Sequence, residues 1–100
     1  MSVNGIILYT QPRCGYCEMM KLLLDKTGYT YYTINIQEDP KALAFIKSQG
    51  HKVVPQLYVN EQHVNKKDTK EYTSEELFSI ISEHLDKPWP WQDSGIEQGL

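Results

Sequence analysis

Cysteine is scarce in this chain, and the scarcity excludes a good deal. Two cysteines in 100 residues cannot make a disulfide-stapled scaffold or the thiolate set of a closed zinc site. The three histidines, His51, His63 and His84, are scattered along the sequence and offer no ligand pair at metal spacing. An excess of positive charge is also lacking. The net charge is −3, whereas gripping a phosphate backbone demands a basic surface, so no nucleic-acid partner is expected. No apolar run approaches the ~20 residues of a membrane-spanning helix. The opening residues, Met1-Ser2-Val3-Asn4-Gly5, lack the basic and apolar regions of a secretion signal. A cytoplasmic location follows as the expectation, a compartment where structural disulfides are rare and catalytic ones are the usual kind. Repeats and low-complexity segments are absent. A hydrophobic fraction of 40% over this length suffices for one core and therefore one domain.

Both cysteines fall in one short stretch, Thr10-Gln11-Pro12-Arg13-Cys14-Gly15-Tyr16-Cys17. The apolar run Ile6-Ile7-Leu8-Tyr9 before it reads as a buried strand. A helical pattern from about Gly15 to Thr27 follows it. A Cys-x-x-Cys where a strand turns into a helix reads as a redox dithiol. The first turn of a helix has unpaired N–H groups and the positive end of the dipole, and both favour thiolate over thiol. The pKa of Cys14 is thus expected to fall, with Arg13 acting in the same direction. Cys17, one turn in, is expected to be shielded and neutral, ready to resolve a mixed disulfide. Three plainer readings compete: half a zinc site, a purely structural disulfide, and two unrelated buried thiols. A loop this short gains little from chain-entropy restriction, and two further zinc ligands are not in view.

The rest of the chain alternates strand and helix. Tyr16, Met20, Leu23 and Leu24 share a face of the first helix, widened by Met19 and Leu22, and Gly28 terminates it. Tyr31 to Ile36 has the period-2 alternation of a strand, which predicts a parallel crossover. Asp39-Pro40 starts a second helix that runs to about Gln49, with Leu43 and Ile46 inward and Gly50 ending it. A strand at Gln56 to Val59, a tight turn at Asn60-Glu61 and a short strand at Gln62 to Val64 form an antiparallel hairpin. Lys66 to Lys70 reads as a polar loop. Thr73-Ser74-Glu75-Glu76 is a capping box for a last helix to about Leu85, with Leu77, Ile80, Ile81 and His84 on one face. Residues 1–87 are read as the domain and 88–100 as a tail. Pro88 and Pro90 bar helix in that tail, and three readings of it stay open: Trp89 and Trp91 packing back onto the domain, a docking peptide for a partner, or disorder.

The dithiol between strand and helix, the β-α-β-α-β-β-α order and Val54-Pro55 ahead of the hairpin together resemble the glutaredoxins, over roughly residues 5 to 86. The resemblance implies an α/β thioredoxin-like fold, a four-stranded mixed sheet with helices on both faces. It also implies a monomeric enzyme that reduces protein disulfides or glutathione mixed disulfides. Glutathione is then the electron-donating co-substrate, and no cofactor is required. Cys14 matches the family's nucleophile and Cys17 its resolving thiol. Tyr16 matches the aromatic lining the glutathione groove, Val54 the residue whose backbone pairs with the glutathione cysteine, and Pro55 the cis-proline facing the dithiol. Asp68 and Thr69 stand where the family holds the γ-glutamyl end. The chain departs from the family at three points. Gly15 replaces the usual proline after the nucleophile. Gln11 stands where a lysine often contacts a glutathione carboxylate, a charge that Arg13 or Lys52 would supply. Asn65-Lys66 replaces a Gly-Gly pair. Two other roles accompany the resemblance. One is an electron donor to ribonucleotide reductase recharged by thioredoxin reductase. The other is a dimer holding a glutathione-ligated [2Fe–2S] cluster, which Gly15 permits.

Overall fold

The computed structural model describes residues 5–86. The tail with both tryptophans lies outside the described residues. The elements are β1 (Ile6–Thr10), α1 (Gly15–Thr27), β2 (Tyr32–Asn35), α2 (Pro40–Ser48), β3 (Gln56–Val59), β4 (Gln62–His63), a 3-10 turn (Thr69–Glu71) and α3 (Ser74–Asp86). They form one four-stranded sheet in the order β2-β1-β3-β4. β2 lies parallel to β1, while β3 is antiparallel to β1 and to β4. This is the mixed, thioredoxin-like sheet expected.

Alternation along the central strands divides the core into two layers. Ile6 and Leu8 of β1 and Leu57 and Val59 of β3 face α1 and α3, packing on Met20, Leu24, Leu77 and Ile81, all fully buried. Tyr9 and Tyr58 point to the opposite face, where Ala42 and Ile46 of α2 cover them together with Ile36. Burying each such aliphatic side chain stabilises the fold by roughly 1.5–3 kcal/mol. Helices therefore lie on both faces of the sheet.

The helix ends follow from local chemistry. Asp39 accepts the N–H groups of Lys41 and Ala42, both at 3.1 Å, with Pro40 opening α2. Gly28 closes α1 in the left-handed region at φ 84°, a conformation that glycine adopts without Cβ strain. Thr73 caps α3 through its hydroxyl, which accepts Glu76 N–H at 3.1 Å. The reciprocal half of the expected capping box is replaced, because the Glu76 carboxylate takes Lys67 Nζ at 2.8 Å instead.

Other expectations need correction. The buried stripe of α1 is Cys17, Met20, Leu24 and Thr27. Met20 and Leu24 are fully buried and Leu23 packs beside them as expected, whereas Tyr16, Met19 and Leu22 are exposed, because only one stripe of a helix laid on a sheet faces the core. On α2, Ala42 joins Ile46 as a buried residue, and Leu43 is half-buried and packs against the same cluster. β2 is shorter than expected, and Tyr32 is exposed because β2 is an edge strand beyond the cover of α2. The supposed polar loop before α3 contains the 3-10 turn. Buried Tyr72 anchors that turn, its hydroxyl accepting Lys66 N–H at 2.9 Å.

Candidate active site

The chain leaves β1 at Thr10 and reverses through Arg13, which sits in the left-handed region at φ 59°. Cys14 is then extended and forms the N-cap of α1, its Sγ accepting the N–H of Cys17 at 3.1 Å. A sulfur takes the place usually held by a serine or aspartate oxygen. Cys14 and Cys17 are joined as a disulfide, with Cα atoms 5.2 Å apart. Cys17 is fully buried under α1 while Cys14 is half-buried. The two sulfurs thus differ in access by position alone.

Across from Cys14 stands the segment that leads from α2 into β3. The Val54–Pro55 peptide bond is cis, and the Val54 carbonyl lies 3.8 Å from Cys14 Sγ. On one side of this segment a groove of about 560 Å³ is lined by Tyr16, Val54, Pro55, Asp68 and Thr69 together with Lys66. That size falls within the roughly 300–1,000 Å³ of small-molecule sites. On its other side a second groove has Gln11, Lys52 and Val54 beside Lys47 of α2. The residues singled out in the sequence thus divide between two grooves that share Val54, and the Val54 carbonyl is the contact that joins them to Cys14. Arg13 is the exception: it is exposed and lines neither groove. Lys47, unremarked in the sequence, adds a positive charge beside uncharged Gln11. Gly15 has open space where a side chain would begin, with no atom within 4 Å of a Cβ built there.

Two histidines that are distant in sequence meet here. The rings of His51 and His63 lie 4.5 Å apart. His51 Nε2 pairs with Tyr58 OH at 2.8 Å, and His63 Nε2 pairs with Gln56 Oε1 at 2.6 Å. Their apparent scatter is undone by the register, which sets His63 directly opposite Tyr58. Burial, chiefly, pushes both imidazoles below the ordinary histidine range. Lys66 adds to this at His51, and His51 and then Lys66 add to it at His63, where a hydrogen bond with Asn65 acts the other way. Among the described residues, no group of three or more histidine, cysteine, aspartate or glutamate side chains is placed to hold a metal ion.

A dithiol that caps the first helix of such a sheet, opposite a cis-proline, is the working arrangement of a thiol–disulfide oxidoreductase of the thioredoxin superfamily. Comparison with known proteins narrows the class. Residues 6–64 match the family model described as Glutaredoxin. Glutaredoxin 1 of Rickettsia prowazekii (strain Madrid E) is 36% identical over 89 residues, covering 85% of this chain and 86% of the relative. Among solved structures, a buckwheat glutaredoxin–glutathione complex is similar with a TM-score of 0.62 at 21% identity, over 82% of this chain and 76% of that one. The glutaredoxin-like protein NrdH-redoxin from Escherichia coli gives 0.60 at 20% identity, over 85% and 97%. At such identities the two structures speak for the fold alone. The chain belongs to the glutaredoxin family and is an oxidoreductase carrying the Cys14–Cys17 pair. No helix among the described residues is long and apolar enough to cross a membrane.

Proposed function

We propose that this protein is a dithiol oxidoreductase that draws its electrons from glutathione and reduces protein disulfides or glutathione mixed disulfides. The observation that carries the reading is the position of Cys14 Sγ, accepting a helix N–H at 3.1 Å while lying 3.8 Å from the Val54 carbonyl. In the reduced protein, that N–H and the helix dipole favour an ionised sulfur. The Cys14 thiolate attacks a substrate disulfide. A Cys14–substrate bond forms, the old bond breaks, and the leaving thiolate takes up a proton. Cys17 then attacks Cys14, releasing the second substrate thiol and closing the Cys14–Cys17 disulfide. Two glutathione molecules restore the dithiol and leave as glutathione disulfide, so two electrons pass in each cycle.

The edge at half-buried Val54, beside exposed Val53, offers backbone groups to an extended glutathione, as an added strand would use them. Tyr16 and Pro55 flank the cysteine of that ligand, and Asp68 with Thr69 meets its γ-glutamyl end. Lys52 and Lys47 supply the charge that Gln11 lacks toward the far carboxylate. The uncharged Gln11 favours a second reading, in which thioredoxin reductase is the donor and ribonucleotide reductase an acceptor.

Turnover of a glutathionylated peptide with glutathione and its reductase, set against turnover with thioredoxin reductase, separates the two. Rapid turnover with glutathione supports the first reading, and activity with thioredoxin reductase alone sinks it. Cys17→Ala keeps turnover of the glutathionylated peptide and loses reduction of protein disulfides. Cys14→Ser loses both, and residual activity in that variant removes Cys14 as the nucleophile.

A further inference from the structure

We propose that Asn65 is a positioning residue for this site: its side-chain amide stands in for the missing end of β4 and sets the Val53–Val54–Pro55 segment. The inference rests on the reading above, because that segment is the edge against which the glutathione cysteine pairs.

The register places Tyr58 opposite His63. Continued toward the site, it sets Leu57 opposite Val64 and Pro55 opposite Lys66. A regular antiparallel ladder would give the Leu57 N–H a carbonyl from Val64 and the Pro55 carbonyl the N–H of Lys66. Only part of this pattern forms. Val64 N–H reaches Leu57 O at 3.0 Å, but Lys66 N–H turns away to the Tyr72 hydroxyl at 2.9 Å. Asn65 fills both vacated rungs. Its Oδ1 accepts Leu57 N–H at 2.8 Å, and its Nδ2 donates to the Pro55 carbonyl at 3.0 Å. A primary amide carries one acceptor and two donors, so it can mimic a peptide unit on both counts. Both bonds are buried and Asn65 itself is 8% exposed.

A second contact completes the hold. Gln56 Nε2 donates to the Val53 carbonyl at 2.9 Å. The Gln56 amide oxygen is then left to accept from His63 Nε2 at 2.6 Å. That assignment puts the proton of neutral His63 on Nε2. The backbone on either side of Val54 is therefore tied down, at Val53 by Gln56 and at Pro55 and Leu57 by Asn65. The N–H that favours an ionised Cys14 sulfur comes from Cys17 and depends on neither tie. Loss of Asn65 should loosen ligand pairing at Val54 without changing the intrinsic reactivity of the sulfur.

The test uses the full chain with Asn65→Gly and Asn65→Asp. A tenfold change in KM corresponds to about 1.4 kcal/mol. KM for a glutathionylated peptide is expected to rise by on the order of tenfold in both variants. The iodoacetamide rate of Cys14 stays at the wild-type value. Asn65→Asp retains the acceptor for Leu57 N–H and loses the donor to Pro55. Its protonated carboxyl restores that donor, so the KM ratio of this variant to wild type shrinks as pH falls. His63, which hydrogen-bonds position 65, and His51 and Lys66 beside it are common to all the variants, and the ratio for Asn65→Gly, which does not shrink, accounts for their titration. Hydrogen exchange at the Leu57 amide accelerates in Asn65→Gly. Folded variants with wild-type KM, or with an unchanged Leu57 exchange rate, overturn the proposal. So does a fall in alkylation rate that matches the rise in KM, since that is general damage. If Asn65→Gly does not fold, the pH trend of Asn65→Asp decides. If the wild type itself does not turn over the glutathionylated peptide, the glutathione reading falls. The Leu57 exchange rate and KM for a protein disulfide then decide the role of Asn65.

Discussion

If Cys14 is at once nucleophile and helix cap, chemistry and stability can be separated by two substitutions at that one position. Cys14→Ser and Cys14→Ala both abolish turnover, because neither side chain offers a thiolate. They differ in what they leave for α1. In the present structure Sγ accepts Cys17 N–H at 3.1 Å from an extended N-cap. Serine keeps an acceptor at that place and is among the preferred N-cap residues. Alanine leaves the donor without its partner, at a cost of about 0.5–2 kcal/mol. A domain of this size has a stability of about 5–15 kcal/mol, so the difference is readily measured. It corresponds to a Tm lower by roughly 4–8 °C for each kcal/mol lost. The comparison is clean because neither variant can form the disulfide, and the loop-closure contribution of that bond cancels. Cys17 remains fully buried in both, so dimerisation through it is not expected under reducing conditions. Urea unfolding of the two proteins should give equal m-values and a lower midpoint for Cys14→Ala. Equal midpoints would show that the sulfur is beside the helix end but does not cap it. The argument for its activation by the helix would then fail with it.

Two other outcomes are expected. Leu24→Ala empties a fully buried position between α1 and the sheet. It should destabilise the protein by about 2–5 kcal/mol in denaturant unfolding, and a loss under about 1 kcal/mol would mean that the layer repacks more freely than its burial implies. Acid should also weaken the fold through the paired imidazoles. Both His51 and His63 are held below the ordinary histidine range. The unfolded chain therefore binds protons first as pH falls below about 6.5, and stability that is complete above that value declines toward the lowered native values. A His51→Gln/His63→Gln variant should flatten the slope of unfolding midpoint against pH in this window. An unchanged slope would place the proton uptake elsewhere.

Much of the architecture follows from local rules that operate before any tertiary contact. The run Ile6 to Tyr9, the Asp39-Pro40 start, the Asn60-Glu61 turn and the Thr73 cap are read by neighbours a few residues away, and each appears in the structure at its expected place. The dithiol belongs to the same class of feature, because its setting between strand and helix is a matter of sequence order. Which face of α1 is buried was less legible, since the apolar residues of that helix outnumber the positions one sheet can cover, and only packing selects Cys17, Met20 and Leu24. The approach of His51 to His63 depends on the pairing of β3 with β4. The work of Asn65 depends on a backbone that turns aside to meet Tyr72. No spacing in the chain encodes such contacts, because a side-chain amide fills a rung of a ladder only after the strands have set where the rungs are. Sequence alone thus determined the elements and the reactive pair. Tertiary structure decided what surrounds that pair, because hydrogen bonds between residues far apart in the chain exist only once the sheet has brought them within about 3 Å of each other.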